Sequence, residues 1–150
     1  MKTNTTTTTL LRFSIDPTQE FQALSVPQGA ELIDAGADYM RNGLPAIWLL
    51  GDLEAPKQKM PIQRVLTGEP LTTAEGERKF LLRNMGISPS KSNAGQLSQK
   101  TACYFELTGL AAADALETID AMESLNADDG AIEKNSGPGG DDATQNDPID

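Results

Sequence analysis

The chain has no histidine, one cysteine in 150 residues, and no glycine spacing of the phosphate-loop or dinucleotide-binding kind. Each absence removes a class of chemistry. Without an imidazole, nothing that titrates near neutral pH stands ready to activate a Ser or Cys nucleophile. Ser88, Ser90 and Ser92 therefore read as loop hydroxyls, and Cys103, beside Tyr104 and Phe105, reads as a buried core thiol. A single cysteine fits a reducing, cytoplasmic home. No apolar stretch approaches the roughly 20 residues of a membrane span, and the N-terminus lacks the apolar segment of a signal peptide. The expectation is a soluble protein without membrane, cofactor, metal or catalytic residues.

Acidic groups are what the chain has in excess: 22 against 12 basic ones, a net charge of −10. They are unevenly spread. Residues 1–55 hold three basic and seven acidic groups (−4), 56–100 eight and three (+5), and 101–150 one and twelve (−11). Close carboxylates such as Asp34 with Asp38, or Asp52 with Glu54, arise by chance at this density and read as surface solvation. Asp128-Asp129-Gly130 lacks the alternating ligands and closing Glu of a calcium loop. The concentration of negative charge near the C-terminus points instead to solubility, or to contact with a partner's basic surface.

Leu11, Phe13 and Ile15 alternate with Arg12 and Ser14, the period of a half-buried strand, and Asp16-Pro17 ends it. Residues 21–26 form a second run, closed by the turn residues Pro27-Gln28-Gly29. A third strand is expected to carry Ile33, Ala35, Ala37 and Tyr39 on one face and Asp34 and Asp38 on the other. Asn42-Gly43 tolerates positive φ and predicts a tight hairpin turn. The nearly continuous apolar run 44–50 predicts a central strand covered on both faces, with Trp48 as a core anchor. Residues 61–66 make a further strand, with Ile62 and Leu66 on one face.

Two helices are expected to cover this sheet. Thr72 and Glu75 have the capping-box spacing, Phe80 and Leu81 would be buried, and Gly86 would stop the first helix. A second helix from near Thr108 places Ala112, Leu116, Ile119, Met122 and Leu125 at helical intervals, with Asp114, Glu117, Asp120 and Glu123 on its wet side. The predicted fold is α+β: a small antiparallel sheet of four to six strands packed with one or two helices. Residues 1–9 form a flexible Thr-rich tip, 10–127 the domain, and 128–150 a disordered acidic tail, too poor in apolar surface to offset its ordering entropy.

Pro27-Gln28-Gly29-Ala30 with Leu32-Ile33, Gly43-Leu44-Pro45 with Ile47-Trp48-Leu49, Asp52 with Ala55-Pro56, and Leu66-Thr67-Gly68-Glu69-Pro70 follow one another in a recognisable order. In residues 10–71 the chain thereby resembles a family of small, uncharacterised phage and prophage proteins. Members often carry His before the last Pro, where this chain has Glu69. The resemblance implies a phage or mobile-element setting and brings no activity or site residues.

Two functional readings follow. The first is a non-enzymatic, phage-derived accessory protein that binds a host or phage protein partner, through Asp114, Glu117, Asp120, Glu123, Asp128 and Asp129. The second is a DNA-binding transcriptional regulator. Residues 77–84, then Met85-Gly86-Ile87-Ser88-Pro89-Ser90, have the look of a helix-turn-helix. Arg78, Lys79, Arg83 and Lys91 would meet phosphates, and Asn93 and Gln96 base edges.

Overall fold

The computed structural model describes residues 7–89 and 96–136, with Pro89 and residues 126–136 described by their backbone alone. Seven strands come first: β1 Thr9–Ser14, β2 Phe21–Pro27, β3 Glu31–Asp38, β4 Leu44–Gly51, β5 Lys57–Leu66, β6 Arg78–Pro89 and β7 Leu97–Leu107. One helix, α1 Gly109–Ser136, follows. The strands form two antiparallel sheets, ordered β1-β4-β3 and β2-β5-β7-β6. The α+β class, antiparallel strands with one helix of the one or two expected, is as predicted, and the strands divide between two sheets. The chain divides into two compact units, one ending at Leu116 and the other beginning at Glu117.

Within the first unit the sheets face each other across one core, because alternate residues of nearly every strand are apolar. Phe13, Val26, Leu32, Ile47, Leu49, Ile62, Leu66, Leu82, Ala102 and Tyr104 all join it. Ile47, Ile62 and Tyr104 are fully buried. Removing each such side chain from water contributes about 1.5–3 kcal/mol, so the core needs no staple. β7 lies between β5 and β6, so the connection 67–77 must cross β7 to start β6. Thr73 donates its hydroxyl to Gln63 Oε1 at 2.7 Å, and Arg78 donates to the Thr73 carbonyl. That connection buries Gln63 on the outer side of the four-stranded sheet.

The helix expected from Thr72 to Gly86 is instead β6, preceded by one 3-10 turn, Glu75–Glu77. Ala74, not Thr72, stands at the start of that turn, with no side-chain cap. Local propensity here gives way to antiparallel pairing with β7, which the local pattern of 72–86 does not contain. A register shift between Phe80 and Leu82 turns both Leu81 and Leu82 inward, while Phe80 is exposed. Gly86 is no helix stop. A Cβ there would press on Leu66 Cδ2, on Ala102 Cβ at 3.0 Å and on Arg64 Cδ at 3.1 Å, so the strand passes too close to its neighbours for a side chain. The helix-turn-helix reading of 77–100 is not met where the chain is described: 78–89 and 97–100 are strand, and 90–95 lie outside the described residues.

α1 begins where expected and continues to Ser136, past the boundary placed at 127. Ala131, Ile132, Glu133 and Lys134 sustain helix before Gly137-Pro138, the first strong stop. The remainder of the predicted tail, 137–150, lies outside the described residues, as do residues 1–6 of the predicted tip 1–9, whose Thr9 opens β1. Among the described residues no helix is long and apolar enough to cross a membrane.

Candidate protein-interaction face

The register of β1, β4 and β3 decides which side chains share a face. Leu11, Leu49 and Leu32 pair across the sheet, as do Phe13, Ile47 and Ala35, and these rows turn inward. The intervening rows turn outward: Leu10, Leu50 and Glu31; Arg12, Trp48 and Asp34; Ser14, Ala46 and Gly36. A bulge between Leu32 and Asp34 lifts Ile33 out of the core, leaving it exposed rather than buried as the third-strand pattern implied. Trp48 is half-buried on this outer face, not a core anchor. The apolar run 44–50 does mark a central strand, but only its Ile47 and Leu49 side is covered by the opposite sheet.

Asp38 builds the rim. It was expected on the wet side and is buried, 4% exposed. Its Oδ1 accepts from Met40 N–H at 3.0 Å, its carbonyl accepts from Gly43 N–H at 2.8 Å, and its Oδ2 lies 3.4 Å from Arg12 Nη1. Asn42 at φ 60° and Gly43 at φ 75° take the left-handed conformations the pair suggested, but in a wider turn containing one 3-10 turn, Tyr39–Arg41. That turn holds Tyr39 90% and Met40 92% exposed. Leu10, Ile33, Gly36, Tyr39, Met40 and Trp48 surround an open, largely apolar depression of about 610 Å³. Gly36 is its floor, with nothing within 4 Å of where a Cβ would stand.

A second polar cluster is structural. Arg64, 6% exposed, donates from Nη1 to the carbonyls of Pro17 and Ile87, both at 2.8 Å, tying the β1–β2 connection to β6. Tyr104 donates its hydroxyl to the Met85 carbonyl at 2.7 Å. Burial pushes the Tyr104 phenol up to about 12, with Arg64 opposing the rise and Asp16 adding to it.

Most of the residues singled out from the sequence lie among the described ones. Arg78 packs over the Phe105 ring at 5.8 Å, Lys79 is exposed opposite Glu106, and Gln96 is exposed before β7. Arg83 lines an open cleft of about 400 Å³ with Asn84, Gln99 and Lys100. Lys91 and Asn93 lie outside the described residues. Asp114 is exposed in the first unit; Glu117, Asp120 and Glu123 are exposed in the second. Asp128 and Asp129 belong to the stretch of α1 described by backbone alone. Cys103, expected in the core, is a half-buried free thiol on the outward side of β7. Among the described residues no group of three or more His, Cys, Asp or Glu is placed to hold a metal ion.

The outer face of β1-β4-β3 escaped sequence reading because its members come from three strands and one turn. Two signals were present: Leu10 falls on the polar side of the Leu11–Phe13–Ile15 alternation, and Tyr39-Met40 directly precedes a turn. Compared with models of known protein families, with curated proteins and with solved structures, the chain matches none.

Proposed function

We propose that the chain is a non-enzymatic accessory protein that works by binding a protein partner, and that it does so through the outer face of β1-β4-β3. The observation that carries this reading is the exposed Tyr39-Met40 pair beside Trp48, Leu10 and Ile33, with Arg12 at the margin. Contiguous exposed apolar surface is costly in a lone soluble domain, and Trp, Tyr and Arg are the residues that carry most binding energy at interfaces. A cytoplasmic, phage-derived setting belongs to the same proposal; the resemblance of residues 10–71 and the free thiol of Cys103 support it. The acidic row of α1 would be a second contact element.

Photo-crosslinking tests the face directly. Benzoylphenylalanine at position 39 is expected to yield protein adducts that disappear when Trp48→Glu is added, whereas the same probe at position 79 yields none. Adducts at 79 alone, or adducts at 39 indifferent to Trp48→Glu, would move the contact elsewhere. Neutralising Asp114, Glu117, Asp120 and Glu123 together asks whether α1 contributes.

A second reading is DNA contact by a β-ribbon instead of a helix-turn-helix. β6 and β7 stay paired from Met85↔Thr101 to Pro89↔Leu97, beyond the last β5 partner, and Arg83, Gln99 and Lys100 share the cleft there. A two-stranded ribbon fits the major groove. This reading requires affinity that falls steeply with salt and again in Arg83→Ala/Lys100→Ala.

A further inference from the structure

We propose that the occupant of the outer β1-β4-β3 face is a second copy of this chain, packed face to face about a twofold axis running along β4. The proposal rests on the reading that this face contacts protein, and it names the partner.

The argument is one of register and charge. Arg12 and Asp34 both pair with Trp48, so a cation, an aromatic ring and a carboxylate lie in one row across the sheet. Strands lie about 4.8 Å apart, so the two charges sit on opposite sides of the ring at roughly equal distances. Of the in-plane twofolds that pass through Trp48, the two limiting ones lie across the strands and along β4. An axis across the strands sets Arg12 over Arg12 and Asp34 over Asp34, which is repulsive twice. An axis along β4 sets Arg12 of each copy over Asp34 of the other, attractive twice, with the two Trp48 rings meeting at the centre. By the same register Leu10 of each copy falls over the other's Glu31, since both pair with Leu50, and Ile33 is the nearest exposed apolar side chain on that strand.

The groups are disposed for this. Asp34 is exposed, and the hydrogen bond it accepts comes from the adjacent Ala35 N–H through Oδ1, at 2.8 Å. Arg12, with a side chain 30% exposed, is steadied by Asp38 and by its bond to Ser14 Oγ at 2.5 Å. Two sheets stacked about 10 Å apart and rotated by about 30° keep such opposed side chains within reach. The part of the face shared by all three strands is set by the six residues of β1 and covers only roughly 300 Å² before Tyr39 and Met40 are added, well under the roughly 800 Å² per partner of a standard interface. The dimer is therefore expected to be weak and concentration-dependent.

The test is sedimentation of the full chain from about 1 to 300 µM, with Trp48 emission read at each concentration; it is the chain's only tryptophan. The expected result is a mass rising from one chain toward two, with emission shifting to the blue in step. Asp34→Arg sets Arg against Arg12 and is expected to raise the dissociation constant at least tenfold. Mixed with Arg12→Glu, which is equally impaired alone, it is expected to pair again, because each contact in the mixed dimer is once more between opposite charges. Should Arg12→Glu fail to fold beside the buried Asp38, Asp34→Arg and the Trp48 emission decide by themselves. A chain that stays monomeric to 300 µM, or a dimer that Asp34→Arg changes less than threefold, overturns the proposal. Monomers that still crosslink at position 39 to another protein would remove the second copy and leave the contact face standing; no adduct of any kind would remove both.

Discussion

Gly86 sits where β6 passes Leu66, Ala102 and Arg64 with no room for a methyl group. Substitution by Ala is expected to lower stability by about 1–3 kcal/mol, the range for overpacking a well-filled core, read as an earlier urea midpoint at unchanged slope. An unaltered midpoint would mean that β6 relaxes outward without cost. Nothing local marks this glycine as a packing residue. Followed by Ile-Ser-Pro, it has the outward form of a helix stop, and only the neighbours supplied by β5 and β7 give it its role. Trp48 is a parallel case: its place in an apolar run is legible, but which side of the sheet it faces depends on a register the local pattern does not contain.

At the scale of elements, the turn between β3 and β4 shows how one buried carboxylate shapes a surface. Asp38→Ala removes the acceptor for Met40 N–H and the partner of Arg12, with an expected loss of about 1–2 kcal/mol, mostly from the cap. Asp38→Asn keeps an acceptor oxygen and is expected to lose less than about 1 kcal/mol, because the Arg12 pair is partly solvated. The two urea midpoints compared decide the point: equal losses would mean that the ion pair, not the cap, holds the turn. Strand alternation at Leu11, Phe13 and Ile15, burial of Ile62 with Leu66, and the start of α1 were all legible, since each depends on residues a few positions apart. β6 was not, because its capping-box spacing and basic composition satisfy a helical template equally well until β7 claims its hydrogen bonds.

For the whole molecule, Tyr104 couples the fold to alkaline pH. Its phenol loses a proton at about 10 in the unfolded chain and at about 12 when buried, so between these values the folded state holds more protons. Stability is therefore flat below pH 10 from this group and falls as pH rises toward 12, by about 3 kcal/mol in all. Tyr104→Phe is expected to start lower by about 1–2 kcal/mol, with the Met85 carbonyl left without its donor, and to lose that added decline. Chemical denaturation of both chains from pH 9 to pH 12 measures it; parallel curves would mean that Tyr104 ionises freely in the native state.

What the amino-acid sequence by itself determined was the kind of molecule: a small antiparallel α+β fold, its first strands and helix, and the density of acid toward its end. Those properties are set by composition and by periods of two and 3.6 residues, which act within a few positions of the chain. The tertiary structure alone decided that residues 78–89 extend instead of coil, that two sheets share one core, and that the three-stranded sheet keeps Trp48, Tyr39 and Met40 at its surface. Pairing register and the covering of a face are contacts between residues far apart in the chain, and their energies outweigh the fraction of a kcal/mol by which local propensity prefers one backbone state to another.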